Sequence, residues 1–138
     1  MNRRLSILGF VLAVGLLCAA QAPWANHVSE AESNKVNPYA GQADAIAAGS
    51  RLFADHCAKC HGDDALGRKK RPSLRTPEVQ HAKDGEIFWL LRNGDLRHGM
   101  PSWSSLPEPT RWQIIAFVKS LGVSGPEVSS SQSQGKPE

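Results

Sequence analysis

The pattern of this chain predicts an all-α domain, and three observations carry that prediction. Apolar residues recur at three- and four-residue spacing in several stretches. Helix starts and stops are marked by Asp84, Thr76-Pro77 and Asn93-Gly94. No run alternates apolar and polar residues as a half-buried strand does. Taken in order, the first helix runs from Asp44 to Ala58, with Ile46, Gly49, Leu52, Phe53 and Cys57 on one face. Thr76-Pro77 opens a short helical turn, because proline is tolerated at the first helical position. Asp84 reads as the N-cap of a helix from Gly85 to Arg92, closed by Asn93-Gly94 in the manner of a left-handed stop. Its apolar face is Ile87, Leu90 and Leu91, flanked by Phe88 and Trp89. The last helix starts near Pro107 or Pro109 and ends at Gly122.

Less of the 138-residue chain than its length suggests is free to build a core. Asn2-Arg3-Arg4 followed by the apolar run Leu5–Ala20 has the layout of an export signal, so residues 1–22 read as a signal peptide. Ala20-Gln21-Ala22 supplies a cleavage pattern, and a cut after Ala20 is the alternative because Pro23 follows Ala22. The same run retained as an N-terminal membrane anchor is the other reading, although it is short for a span of roughly 20 apolar residues. Residues 23–41 are polar and irregular and read as a flexible linker; residues 123–138 read as a disordered Ser/Gln/Gly/Pro tail. What remains, residues 42–122, is roughly 80 residues, which excludes a TIM barrel or a two-domain dehydrogenase and leaves a core too small to be secure without a staple.

The net charge of +3 is too small for a committed nucleic-acid binder. The densest basic cluster is Arg68-Lys69-Lys70-Arg71, either a solvated loop or a docking rim for an acidic partner protein.

The chemistry sits in Cys57-Ala58-Lys59-Cys60-His61. C-x-x-C-H is the attachment signature of c-type haem: two thiols on one helical turn add to the two vinyl groups of one porphyrin, and the adjacent histidine reaches the iron. A zinc ribbon needs a second pair of ligands, and the only other cysteine, Cys18, lies in the export segment. A thioredoxin-like dithiol needs a strand before it, whereas the stretch before Cys57 reads helical. Beyond the initiator, Met100 is the only methionine, set in Gly99-Met100-Pro101. A thioether there suits the sixth position on the iron, since Met/His ligation favours the reduced metal. Core filler is the plainer reading of Met100, and His98 is the competing ligand. His27, His56 and His81 read as surface or packing residues.

With Gly49-x-x-x-Phe53-x-x-x-Cys57, the C-x-x-C-H motif, Gly99-Met100-Pro101 and the amphipathic Arg111–Leu121 stretch, residues 42–122 resemble a small bacterial class I mono-haem cytochrome c. The resemblance implies a few helices wrapped around one haem c, held by thioether links through Cys57 and Cys60, with His61 and Met100 as iron ligands. It implies that Gly49 and Phe53 meet Phe117 where the first and last helices cross. It also makes Pro72 the candidate for the carbonyl that accepts the His61 Nδ1–H, although Arg68-Lys69-Lys70-Arg71 stands where small, glycine-rich residues are common in the family. Trp89 and Trp103 are candidates for the haem pocket wall or for plain core.

The function these readings imply is transfer of single electrons between redox partner proteins outside the cytoplasm, with no catalytic residues. The partners are a dehydrogenase or a terminal oxidase, and the chain is a free shuttle or a complex subunit. The location is the periplasm, in solution or anchored to the cytoplasmic membrane through the N-terminal segment. Two other classes stay open, a haem peroxidase with His98 as acid/base and a ligand-binding haem sensor; each needs a labile sixth position.

Overall fold

A computed structural model describes residues 22–122. In chain order the helices are α1 (Glu30–Ser33), α2 (Ala43–His56), α3 (Ala58–His61), α4 (Pro77–His81), α5 (Asp84–Asn93) and α6 (Glu108–Ser120), with 3-10 turns at Pro23–His27 and Leu96–His98. Among the described residues there is no strand, only isolated bridges that pinch two loops, Arg68–Arg71 and Asp95–Met100.

The frame is the crossing of α2 and α6. Gly49 lets the two backbones touch: a Cβ built there would lie 2.0 Å from the carbonyl oxygen of Gln113 and 3.0 Å from Phe117 Cβ. One turn on, Phe53 meets Phe117 with ring centroids 5.2 Å apart and planes tilted by 54°, a favourable aromatic geometry. The contact expected of Gly49, Phe53 and Phe117 is therefore present. Around it, Ile114, Ile115 and Val118 of α6 pack with Ile87, Phe88 and Leu91 of α5 into one buried core. Phe88 stacks on Trp112 at 4.0 Å, and the buried Arg111 guanidinium lies 4.6 Å from the Phe88 ring. Short α4 is tied to the end of α6 by polar bonds. Lys119 Nζ donates to the carbonyls of Gln80 and Ala82, while Gln80 Nε2 donates to those of Leu74 and Val118.

Helix ends differ from expectation by a residue or two. Helix α2 stops at His56, and Cys57 (φ −115°) hinges into the separate turn α3. Asp84 is the first residue of α5, not its cap: the Glu86 carboxylate accepts from the backbone N–H of Lys83, which takes the cap position. Helix α6 ends at Ser120, short of Gly122.

The larger correction concerns residues 23–41, expected as a flexible linker. They form a strap packed on the domain. Asn37 is 3% exposed; its Nδ2 donates to the carbonyl of Trp112 at 3.0 Å and its Oδ1 accepts from the Tyr39 N–H at 2.9 Å. Ser33 Oγ donates to Glu86, Lys83 Nζ donates to Asn34 Oδ1, and Trp24 and Tyr39 pack against the core. The strap is polar in composition because its side chains serve as specific hydrogen-bonding groups to α5 and α6. The expected signal peptide lies outside the described residues except for buried Ala22, and the expected tail at 123–138 lies wholly outside them. No helix among the described residues is long and apolar enough to cross a membrane.

Two stability tests follow from this packing. Gly49→Ala forces α2 away from α6 and is expected to cost about 3 kcal/mol, as backbone-level overpacking does, read as a drop in the denaturant midpoint of the holoprotein. Asn37→Ala removes two hydrogen bonds at a buried site and is expected to cost about 1–3 kcal/mol in the same assay. An unchanged midpoint for Asn37→Ala would mean the strap is not part of the folded unit.

Candidate functional site

The hinge between α2 and α3 presents the two thiols. The Cys57 N–H continues the α2 ladder to Phe53 O at 2.8 Å, and the Cys57 carbonyl then accepts from both Cys60 N–H (3.1 Å) and His61 N–H (3.0 Å). This single turn puts Cys57, Cys60 and His61 on the wall of one cavity. Neither thiol is in a disulfide. Burial, and next the nearby Cys60, push the Cys57 thiol up to about 12. The element leading into Cys57 is helix α2, not the strand that a thioredoxin-like frame places before its dithiol. Among the described residues no group of three or more His, Cys, Asp and Glu side chains gathers to hold a metal.

His61 is oriented from the loop that follows it. Its Nδ1 lies 3.0 Å from the carbonyl oxygen of Pro72, so the Nδ1–H donates there and Nε2 is the nitrogen left with a lone pair. The loop is shaped to bring that carbonyl back. Gly67, at φ +89°, donates its N–H to His61 O at 2.7 Å, and a Cβ there would lie 2.5 Å from Arg71 O and 2.9 Å from Pro72 C. The Leu74 N–H closes the loop on Ala65 O at 2.8 Å. The contact that the family resemblance suggested for Pro72 is thus present despite the basic residues around it.

Met100 reaches the same cavity from the loop after α5. Asp95 and Met100 exchange both backbone N–H···O bonds at 2.9 Å, around the 3-10 turn Leu96–His98. The Trp103 N–H donates to Leu91 O at 2.7 Å, anchoring the loop's far end on α5. His98 Nδ1 lies 2.6 Å from Asp95 Oδ2, with its side chain 79% exposed. The hydrogen bond from His98, more than its charge, holds the Asp95 carboxyl below the ordinary carboxylate range. His98 is therefore engaged in pinning the turn.

Cys57, Cys60, His61 and Met100 all line one cavity of about 540 Å³, within the roughly 300–1,000 Å³ usual for cofactor sites. The remainder of the wall is chiefly apolar, with Phe53, Ile87, Leu91, Ile114 and Val118 among its residues. Trp103 lines it and Trp89 does not, which separates the two tryptophans that the sequence left equal. Sequence reasoning missed Pro23 and Trp24, which wall the cavity from the strap. The signal was there in an aromatic residue standing inside an otherwise polar stretch. These residues fit a covalently held haem: two thiols at attachment spacing, a fixed imidazole with one free nitrogen, a thioether from a second loop, and apolar walls.

The comparisons with known proteins agree. Residues 44–118 match the family described as cytochrome C oxidase, cbb3-type, subunit III. The chain is 35% identical over 86 residues to the cbb3-type cytochrome c oxidase subunit FixPc of Rhizobium leguminosarum bv. viciae, covering 54% of this chain and 27% of the relative. It is 39% identical over 105 residues to the CcoP subunit of Rubrivivax gelatinosus, covering 74% of this chain and 34% of that protein. The chain thus spans about a quarter to a third of the length of these relatives. Among solved structures it resembles cytochrome cL of Methylophaga aminisulfidivorans MPT, with TM-score 0.56 and 28% identity over 72% of this chain and 68% of the other. The helical fold, the attachment motif on its cavity wall and these matches give one conclusion: the chain carries a c-type cytochrome domain and belongs to the cbb3-type cytochrome c oxidase subunit III family.

Proposed function

We propose that this domain is a mono-haem electron carrier working outside the cytoplasm, with the iron held between His61 Nε2 and Met100 Sδ. The observation that carries the reading is the meeting of Cys57, Cys60 and His61, from the α2–α3 hinge and α3, with Met100, from the loop after α5, on one cavity. When bound, haem supplies a one-electron Fe(III)/Fe(II) couple. Cys57 and Cys60 hold it by thioether links. His61, fixed by Pro72, would hold the metal through Nε2, and Met100 would offer a thioether, a donor that favours the reduced state. With His61 and Met100 both on the cavity wall, the protein would supply both ligands to the iron, which favours a carrier over a peroxidase or sensor.

The apolar walls keep water from the iron, and nearby charge tunes its potential. Arg68 is spent on Asp63 at 3.0 Å, leaving Lys69 and Lys70 exposed, the latter at the rim of the cavity. That rim suits an acidic redox partner, where charge accelerates encounter more than it adds affinity. The partner class proposed is a terminal oxidase or a dehydrogenase, in line with the oxidase subunits among the relatives. Residues 1–22 serve as the export signal or a membrane anchor, placing the domain in the periplasm, and residues 42–122 with the packed strap form the functional unit.

Two measurements test this. In protein made in a host with c-type haem maturation, the ferric spectrum is expected to be low-spin with a weak methionine–iron(III) charge-transfer band, and Met100→Ala is expected to abolish that band. A band untouched by the substitution removes Met100 as ligand and brings His98 forward. Protein lacking haem is expected to show no cooperative thermal transition by circular dichroism, because a core of this size cannot close around so large a cavity unaided.

A further inference from the structure

Arg71 stands apart from the other three members of its basic cluster. Arg68 turns to Asp63, and Lys69 and Lys70 are exposed, whereas Arg71 is half-buried and lines the cavity. Its Nη1 donates to the carbonyl oxygen of His98, across to the loop that carries Met100. The other loop is shaped to receive it. Gly99, at φ +73°, has no side chain where a Cβ would lie 2.6 Å from Nη1 and 3.0 Å from Nη2 of Arg71, so the guanidinium occupies the space beside the backbone just before Met100. The next residue along, Pro72, gives its carbonyl to His61 Nδ1. Two adjacent residues therefore hold the two loops that present His61 and Met100.

We infer that Arg71 is a positioning residue that clamps the Met100 loop to the His61 loop and keeps the thioether in place against competing ligands. A guanidinium suits this role because it stays charged at all accessible pH and its donors sit in a rigid plane, so one bond to a carbonyl restricts the loop in direction as well as distance. The Asp95–Met100 backbone pair and the His98–Asp95 bond shape the turn from within. Arg71 supplies the tie from outside, and without it the turn can keep its shape while lifting from the cavity. The inference rests on the reading of Met100 as an axial ligand.

The test is an optical titration of the ferric holoprotein with imidazole, which displaces a labile sixth ligand, run on the native sequence and on Arg71→Ala, Arg71→Lys and Met100→Ala. Arg71→Ala is expected to keep the charge-transfer band yet bind imidazole about tenfold more tightly, the change that loss of one charge-assisted hydrogen bond supports. Arg71→Lys, which keeps a cationic donor, is expected to recover much of the native resistance. An imidazole affinity in Arg71→Ala within about twofold of the native value overturns the clamp, since a hydrogen bond of this kind is worth more. An equal rise in imidazole affinity in Arg71→Ala and Arg71→Lys overturns it too, because the effect would then belong to loop disturbance and not to the donor. Met100→Ala separates the two readings: if it leaves the band intact, the ligand assignment is what fails. Should Arg71→Ala not mature, Arg71→Gln against Arg71→Lys supplies the same comparison of an uncharged with a charged donor.

Discussion

The hydrogen bond between His61 Nδ1 and the Pro72 carbonyl is the interaction on which the rest of the site depends. A neutral imidazole has two nitrogens of nearly equal basicity, and nothing in the ring itself decides which one faces a metal. Giving one proton a fixed acceptor settles the tautomer and the ring plane together. The acceptor lies eleven residues away, so the chain between must turn back on itself within a short loop. Gly67 supplies the backbone conformation that a side chain would block, and the Leu74–Ala65 bond holds the return path. Residues 62–76 are thus explained as a device for presenting one carbonyl. Proline is apt at that position because its ring limits the backbone and leaves only the carbonyl to bond.

How much of this was legible in the sequence depended on whether the signal was local. C-x-x-C-H and Gly99-Met100-Pro101 are short motifs whose chemistry sits in the residue types themselves, and they identified Cys57, Cys60, His61 and Met100 among the residues that line the cavity. The helices were legible because apolar periodicity is a property of one segment at a time. The strap was not. Asn37, Ser33 and Asn34 look like linker residues, and only the fold shows that their side chains answer a backbone carbonyl of α6, a carboxylate of α5 and the Lys83 ammonium just before α5. The role of Trp24 was hidden for the same reason: its place on the cavity wall is set by where the strap runs. The cap of α5 was misplaced by one residue because Asp84 is a good cap in isolation, while Glu86 reaching back to Lys83 is a pairwise event. Arg71 carried the same ambiguity, since four basic residues in a row give no hint that one of them turns inward.

The strap also bears on the small-core problem. A domain confined to residues 42–122 has little apolar surface to bury, and the cavity removes contact from its centre. Extending the folded unit back to Ala22 adds Trp24 and Tyr39 to the packed apolar set and fixes Asn37 under α6. The core then has a wall where it would otherwise open to water. The haem proposed for the cavity completes the same arithmetic from inside, as a large apolar body with two covalent ties.

A one-electron carrier works fastest when its metal site changes least between oxidation states, so its ligands must be held from outside the metal as well as by it. Here α2 and α6, locked together at Gly49, form the rigid back of the cavity, and α3 grows directly from the end of α2. His61 therefore inherits the rigidity of the frame. Met100 does not: its loop hangs between α5 and α6, anchored at one end by Trp103 on Leu91 and shaped by an internal turn. Under the proposed ligation, any ligand exchange or potential drift begins on that side, because Met100 sits in a loop and His61 in a helix. The contact from Arg71 to the His98 carbonyl falls at this weak point. It joins the Met100 loop to the same short stretch, Gly67 to Pro72, whose Pro72 carbonyl orients His61.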